Sequence, residues 1–228
     1  MILEQYLPAL HQGDAVGEST IRLHRYLLAA GGESTIVSLQ ADPGISHLTV
    51  PWSEHRPRPG AIRLLHHAVP SELTDLFPRL PGPRVLVYHN ITPMSFFEPY
   101  SPHLTEVCRL GRAHLRQLVG KVDLALADSR FNAEELEEVG FDPIRVFPVM
   151  IDHETYLKTP SSEAYAKLFA DGRKNLLFVG RLVPNKGVDH LIRTLFTLRK
   201  YINPAVRLIV AGNDRLLPAY TLGLWDLG

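Results

Sequence analysis

Short apolar runs alternate with segments of helical period from one end of the chain to the other, and this alternation restricts the fold more than any other feature. A strand, a helix and a second strand that repeat in this order build a parallel sheet whose crossover helices cover its faces. The first unit runs from the strand around Glu4–Leu10, through the polar loop His11–Asp14, into a helix reaching about Ala30. Ile21, Leu23, Leu27 and Leu28 form its apolar stripe, Gly31-Gly32 stops it, and Ser34–Ser38 is the next strand. With 45% hydrophobic and 21% charged residues, the chain has enough apolar side chain to bury a sizeable core.

Residues 41–60 are rich in Pro, Gly and His and read as irregular surface. Further strands are expected at Ile62–Leu65, Arg84–Tyr88, Leu124–Ala127 and Ile144–Phe147, with a helix from His103 to Val119. Asn132 followed by Glu135 has the form of a capping box, so a short helix is expected to start there and to end at Gly140. Past a connecting stretch from Asp152 to Asp171 a fresh unit begins. It comprises strand Asn175–Val179, loop Gly180–Gly187, helix Val188–Tyr201, strand Val206–Ala211 and a further helix between Leu216 and Leu227. Val188, Leu191, Ile192, Leu195 and Leu198 form the expected buried face of helix 188–201. Residues 1–158 are thus expected to be one complete Rossmann-like domain, and residues 159–228 the front half of a second.

Lys+Arg and Asp+Glu both number 24, so the formal net charge is zero and there is no broad electrostatic footprint for nucleic acid. Cys108 is the only cysteine, which excludes an internal disulfide and reads as a buried, inert thiol. No apolar run approaches the roughly 20 residues that cross a bilayer, and no basic segment followed by an apolar one opens the chain. The expected location is cytoplasmic, with peripheral association at the inner face of the membrane left open. The 11 histidines form no His-Glu-x-x-His pair, and adjacent His66 and His67 would point to opposite faces of a strand, so no metal is expected.

The stretch Phe178–Asp189 carries the most chemistry. A strand runs into Gly180, a loop bears Arg181 and Lys186, and Gly187 opens a helix. Cations beside helix N-terminal amides suit phosphate. The spacing is neither that of a P-loop nor that of Gly-x-Gly-x-x-Gly, which disfavours a dinucleotide-dependent oxidoreductase. An exposed loop with a solvated lysine explains the same residues.

Val179-Gly-Arg-Leu-Val-Pro-Asn-Lys-Gly-Val-Asp-His-Leu-Ile192 resembles the hallmark of family-4 retaining glycosyltransferases of the GT-B fold (group 1 glycosyltransferases). The resemblance implies that Arg181 and Lys186 clamp the diphosphate of a nucleotide-sugar donor, with Gly180 allowing close backbone approach. Gly13-Asp-Ala-Val-Gly17 is similar to the family's glycine loop, which puts Gly13 at the donor and Asp14 near a sugar; a tight turn accounts for Gly13 equally well. In Val87-Tyr-His-Asn-Ile-Thr-Pro93, at a strand end, the resemblance makes His89 the catalytic candidate that hydrogen-bonds the transferred sugar, with Asn90 and Thr92 beside it. Ala127-Asp-Ser-Arg-Phe-Asn132 also matches a family segment and adds Ser129 to the cleft candidates, although a helix cap explains Ser129 and Asn132 better. Val146–Asp152 resembles the strand after which such enzymes cross into the donor domain.

The family's second domain carries two glutamates eight positions apart, and the chain stops before that segment. Glu134, Glu135, Glu137 and Glu138 read instead as one solvated helix face. The resemblance implies metal-independent transfer of a hexose, with retention, from a nucleotide-diphosphate sugar to a carbohydrate or lipid-linked saccharide acceptor, with no further cofactor. The apparent truncation leaves a second reading open: a non-catalytic fragment or split-gene remnant with at most weak nucleotide-sugar binding, its missing half either cut off artificially or carried on another chain. Little or no turnover is expected of the chain alone, and the shortened second sheet is expected to expose an apolar patch.

Overall fold

The computed structural model describes residues 1–227, which divide into two compact units. The first comprises residues 1–91 and 107–152, the second residues 92–106 and 153–228. The boundary expected near residue 158 falls at the end of a short helix, His153–Lys158, that begins the later part of the second unit.

The first unit is built on a seven-stranded, all-parallel sheet. Its strands are β1 (Ile2–Leu10), β2 (Glu33–Ala41), β3 (Val50–Pro51), β4 (Ile62–His67), β5 (Arg84–Tyr88), β6 (Leu124–Ala127) and β7 (Ile144–Val146), in the order β3-β2-β1-β4-β5-β6-β7. The order reverses between β1 and β4, and beyond the carboxyl ends of the strands at such a switch point open α/β sheets bind ligands. Helix α1 (Ala15–Ala29) connects β1 to β2; α2 (Leu73–Leu76), α3 (Pro102–Gln117) and α4 (Arg130–Val139) follow in chain order.

Side chains alternate across a strand, so odd-numbered residues of β1 share a face with even-numbered residues of β4 and odd-numbered residues of β5. Leu3, Leu64, Val85 and Val87 on that face pack with Leu27 of α1, and Leu7 and Leu10 pack with Ile21 of α1 and Ile36. Fully burying one such side chain is worth about 1.5–3 kcal/mol. On the other face Phe77 meets the Tyr6 ring edge-on at 5.7 Å, and His67 hydrogen-bonds the carbonyl of Gly111 in α3 at 3.1 Å. The same face buries an ion pair of Glu4 with Arg63, Nε to Oε2 at 3.2 Å, which Tyr6 Oη joins by donating to Glu4 at 2.7 Å.

α4 departs from the expected start. Its cap is Ser129, whose hydroxyl accepts from the Asn132 amide at 3.2 Å, and Asn132 lies buried within the helix. Either residue can cap a helix; the chain at Ser129 is still extended, so the helix begins one turn earlier than the Asn132–Glu135 spacing suggests. Gly140 ends it in the left-handed conformation, as expected.

The second unit holds α5 (His153–Lys158), α6 (Glu163–Leu168), β8 (Lys174–Val179), α7 (Val188–Tyr201), β9 (Val206–Ala211) and α8 (Pro218–Trp225). The stretch expected to be a plain connection therefore contains two short helices, the second capped by Ser162. β8 and β9 pair in parallel as a two-stranded sheet. Tyr220 Oη donates to Asp189 at 3.0 Å and ties α8 to α7, and the ring of Tyr100 meets that of Tyr220 edge-on at 5.3 Å. Of the α7 face expected to be buried, only Val188 is fully so; Leu191, Ile192, Leu195 and Leu198 are half-covered, because two strands cannot span a helix face.

Candidate functional site

In the first unit, strand ends and the loops after them bring the expected residues together. Residues 11–14 are pinned by Asp42, which accepts from the Gln12 amide at 2.9 Å and bonds His11 Nδ1 at 3.0 Å. The Gln12 amide, then His11, hold the Asp42 carboxyl below its ordinary range. Gly13 has φ +75°, a left-handed turn that glycine makes at no steric cost. Asp14 caps α1 by accepting from the Gly17 amide at 3.2 Å, so its carboxylate is committed to the helix start. At Gly17 a Cβ would lie 2.7 Å from the His11 carbonyl oxygen, so the close packing of helix on loop needs glycine.

His89 stands just past β5. Its side chain is only 3% exposed, and both ring nitrogens have protein partners: Nδ1 lies 2.9 Å from Asp128 Oδ2, and Nε2 lies 2.8 Å from His66 Nδ1. The His66 and His89 rings are nearly parallel, 7° apart, with centroids separated by 5.1 Å, as an edge-to-edge bond between the two nitrogens requires. Beyond His66 the chain of bonds continues to Gln5 Oε1 at 3.1 Å. Asn90, exposed, takes φ 58°, which Asn tolerates better than most residues. That turn is clamped from both sides. The Tyr88 hydroxyl accepts from the Ile91 amide at 3.1 Å and donates to Glu135 at 2.6 Å, while Arg112 pairs with Glu135 and donates to the Ile91 carbonyl at 2.5 Å. Burial and the Glu135 bond push the Tyr88 hydroxyl above its usual range, so it stays protonated. Ser129 caps α4 as described. Burial raises the Cys108 thiol, in keeping with an inert role.

In the second unit the loop between β8 and α7 folds as a tight coil. Residues Pro184–Lys186 form one 3₁₀ turn, and Gly187 closes it at φ +65°. Arg181 and Lys186 are both exposed, and among the described residues neither side chain forms an ion pair or hydrogen bond. Two cations thus project from the strand-to-helix loop with their charge uncompensated, an arrangement suited to an anion. Gly180 donates to the Ala211 carbonyl at 2.9 Å, and the close approach at this glycine is made by Gly212: a Cβ on Gly212 would sit 1.8 Å from the Gly180 carbonyl oxygen. Thr92 accepts from Asn185 Nδ2 at 3.3 Å, fixing the middle of the loop.

Residues 162–222 match the family model for Glycosyl transferases group 1. In three dimensions the chain is similar to an alpha-glucosyltransferase in complex with UDP (TM-score 0.63, 14% identity, 99% of this chain and 61% of that one). It is similar also to WaaG, a glycosyltransferase involved in lipopolysaccharide biosynthesis (0.56, 14%, 99% and 67%), and to Anabaena HepE in complex with UDP and glucose (0.57, 13%, 100% and 66%). The fold is that of GT-B glycosyltransferases. A further similar structure is an alpha-glucosyltransferase with UDP and a 13-mer DNA, of which the chain spans 60%. The chain thus covers about three-fifths of the length of the first structures it matches. No curated protein matches it in sequence.

Gln5, His66, Asp128, Glu135, Arg112 and Gly212 were not singled out as site residues by sequence. Asp128 lies inside the segment Ala127–Asn132 that resembles the family, and the opposite facing of His66 and His67 follows from the two-residue period of a strand. The missing information was the strand register that sets four distant residues side by side.

Proposed function

We propose that this chain binds the diphosphate of a nucleotide-sugar donor and serves metal-independent, retaining transfer of a hexose to a carbohydrate or lipid-linked saccharide acceptor. The observation that carries the reading is the pair of exposed, uncompensated cations Arg181 and Lys186, in the β8–α7 loop within the segment that matches the group 1 model. A nucleoside diphosphate leaves with growing negative charge, and fixed cations aimed at it favour the transition state over the bound donor. Gly180, pressed against Gly212, lets backbone rather than side chain face that phosphate. The two cations take the place a metal ion would otherwise fill.

In the first unit His89 is the residue that would orient the transferred sugar, with Gly13 giving backbone access and Asn90, exposed and next in the chain, beside it. Since Nε2 of His89 bonds His66, contact with a sugar hydroxyl requires that bond to be exchanged. Asp14 and Ser129 serve as caps, and Thr92 acts by bracing Asn185.

The uncovered β8–β9 sheet favours a second reading, donor binding without turnover. Both are tested by incubating the protein with UDP- and GDP-hexoses and following binding and sugar release. Arg181→Ala and Lys186→Ala should each weaken donor binding by about tenfold or more, the worth of a charge-assisted hydrogen bond. Binding untouched by both substitutions would sink the clamp assignment; binding with no release or transfer would leave the second reading.

A further inference from the structure

Gln5, His66, His89 and Asp128 stand in the order of their strands, β1, β4, β5 and β6, and hydrogen bonds join each to the next. The protons of this row are set from its two ends. Gln5 Nε2 donates to the Thr20 carbonyl at 3.2 Å, which leaves Oε1 facing His66 Nε2. The Thr20 hydroxyl donates to the Val16 carbonyl at 2.8 Å, so toward His66 Nε2, 3.5 Å away, it offers only lone pairs. With acceptors on both sides, His66 Nε2 carries a hydrogen. Burial, and then the neighbouring His89, keep His66 well below the ordinary histidine range. The ring is therefore neutral, and its Nδ1 is a bare acceptor. At the far end Asp128 accepts from His89 Nδ1. His89 faces an acceptor on each side.

We propose that His66 is a positioning residue that holds His89 as a doubly protonated ring, bonded through Nε2–H to the His66 imidazole and through Nδ1–H to the Asp128 carboxylate. His67, the next residue on β4, turns away from this row to the Gly111 carbonyl on the opposite face of the strand, so it supplies no competing partner. On the donor-binding reading of the site, on which the consequence rests, the Nε2–H is a preformed donor: a sugar hydroxyl takes over from His66 as acceptor, and His89 keeps both protons and its charge throughout.

The test is a long-range ¹H–¹⁵N correlation spectrum of the histidine-labelled protein at pH 7, with the His89 signals assigned by their loss in His89→Gln. Both His89 nitrogens should show attached protons, and His66 should show a proton on Nε2 alone. His66→Leu, which removes the acceptor, should lose the His89 Nε2 proton, whereas His66→Gln, which offers a carbonyl oxygen there, should retain it. A wild-type spectrum with a single proton on His89 overturns the proposal, and so does a folded His66→Leu spectrum identical to wild type at His89. Should His66→Leu fail to fold, the wild-type and His66→Gln spectra still decide. No nucleotide sugar enters the experiment, so its failure leaves the Arg181–Lys186 clamp standing, and failure of the clamp leaves the proton assignment standing.

Discussion

His66 and His67 are adjacent on β4 and face opposite sides of the sheet, yet burial moves both in one direction. His67 is lowered to about 4, burial outweighing its bond to the Gly111 carbonyl. An unfolded histidine titrates near 6.5. Between about 4 and about 6.5 the unfolded chain binds a proton that folded His67 refuses, so stability falls as pH drops through that window and is fully present above it. The effect from His67 alone is at most about 3 kcal/mol. Urea unfolding of the protein at pH 7.5 and pH 4.5 should show a clearly lower midpoint in acid, a loss reduced in His67→Gln; equal midpoints would contradict the burial described. Asn90 makes a sharper local prediction, since its φ of 58° is costly for a β-branched residue. Asn90→Gly should leave stability within about 0.5 kcal/mol and Asn90→Val should lose about 1–2 kcal/mol, measured by the same unfolding. The opposite facing of the two histidines follows from period two alone and was legible, while the left-handed turn at Asn90 was not, because Asn tolerates that conformation without demanding it.

Among the elements, α1, β5, β6, α7 and β9 were readable almost to the residue, since each is an uninterrupted periodic run, while β1 starts two residues before the expected Glu4. The α4 start was misplaced by one turn because two adequate caps stand three residues apart. What periodicity could not reveal is how elements meet. Gln5 and Asp128 lie far apart in sequence and are joined only by the β1-β4-β5-β6 order. Gly212 likewise draws its importance from parallel pairing of β9 with β8, which brings it onto Gly180. Gly212→Ala has no room to relax away from backbone, and it should cost the second unit about 3 kcal/mol or more and abolish donor binding. A variant with wild-type stability and binding would show that the close approach is not needed. The same two-stranded sheet leaves Leu177 66% and Val179 72% exposed, and Phe196 and Trp225 are exposed as well. With this much apolar surface exposed, a hydrophobic dye should bind the protein in its folded state; no dye signal under native conditions would contradict the open face.

At the scale of the molecule, equal numbers of acidic and basic residues argue against a broad electrostatic footprint for nucleic acid. A chain of zero formal net charge should not retain DNA at physiological salt, and a stable gel shift with a short duplex at about 0.15 M salt would overturn that expectation. Among the described residues no helix is long and apolar enough to cross a membrane. Whether Arg181 and Lys186 hold a nucleoside diphosphate is decided by calorimetric titration of UDP and GDP against uridine and guanosine. One of the diphosphates should bind the wild-type protein at least about tenfold more tightly than its nucleoside, with the advantage shrinking as salt rises and vanishing in the Arg181→Ala/Lys186→Ala double variant. Equal binding of nucleoside and diphosphate, or a diphosphate advantage that survives the double substitution, would contradict the account.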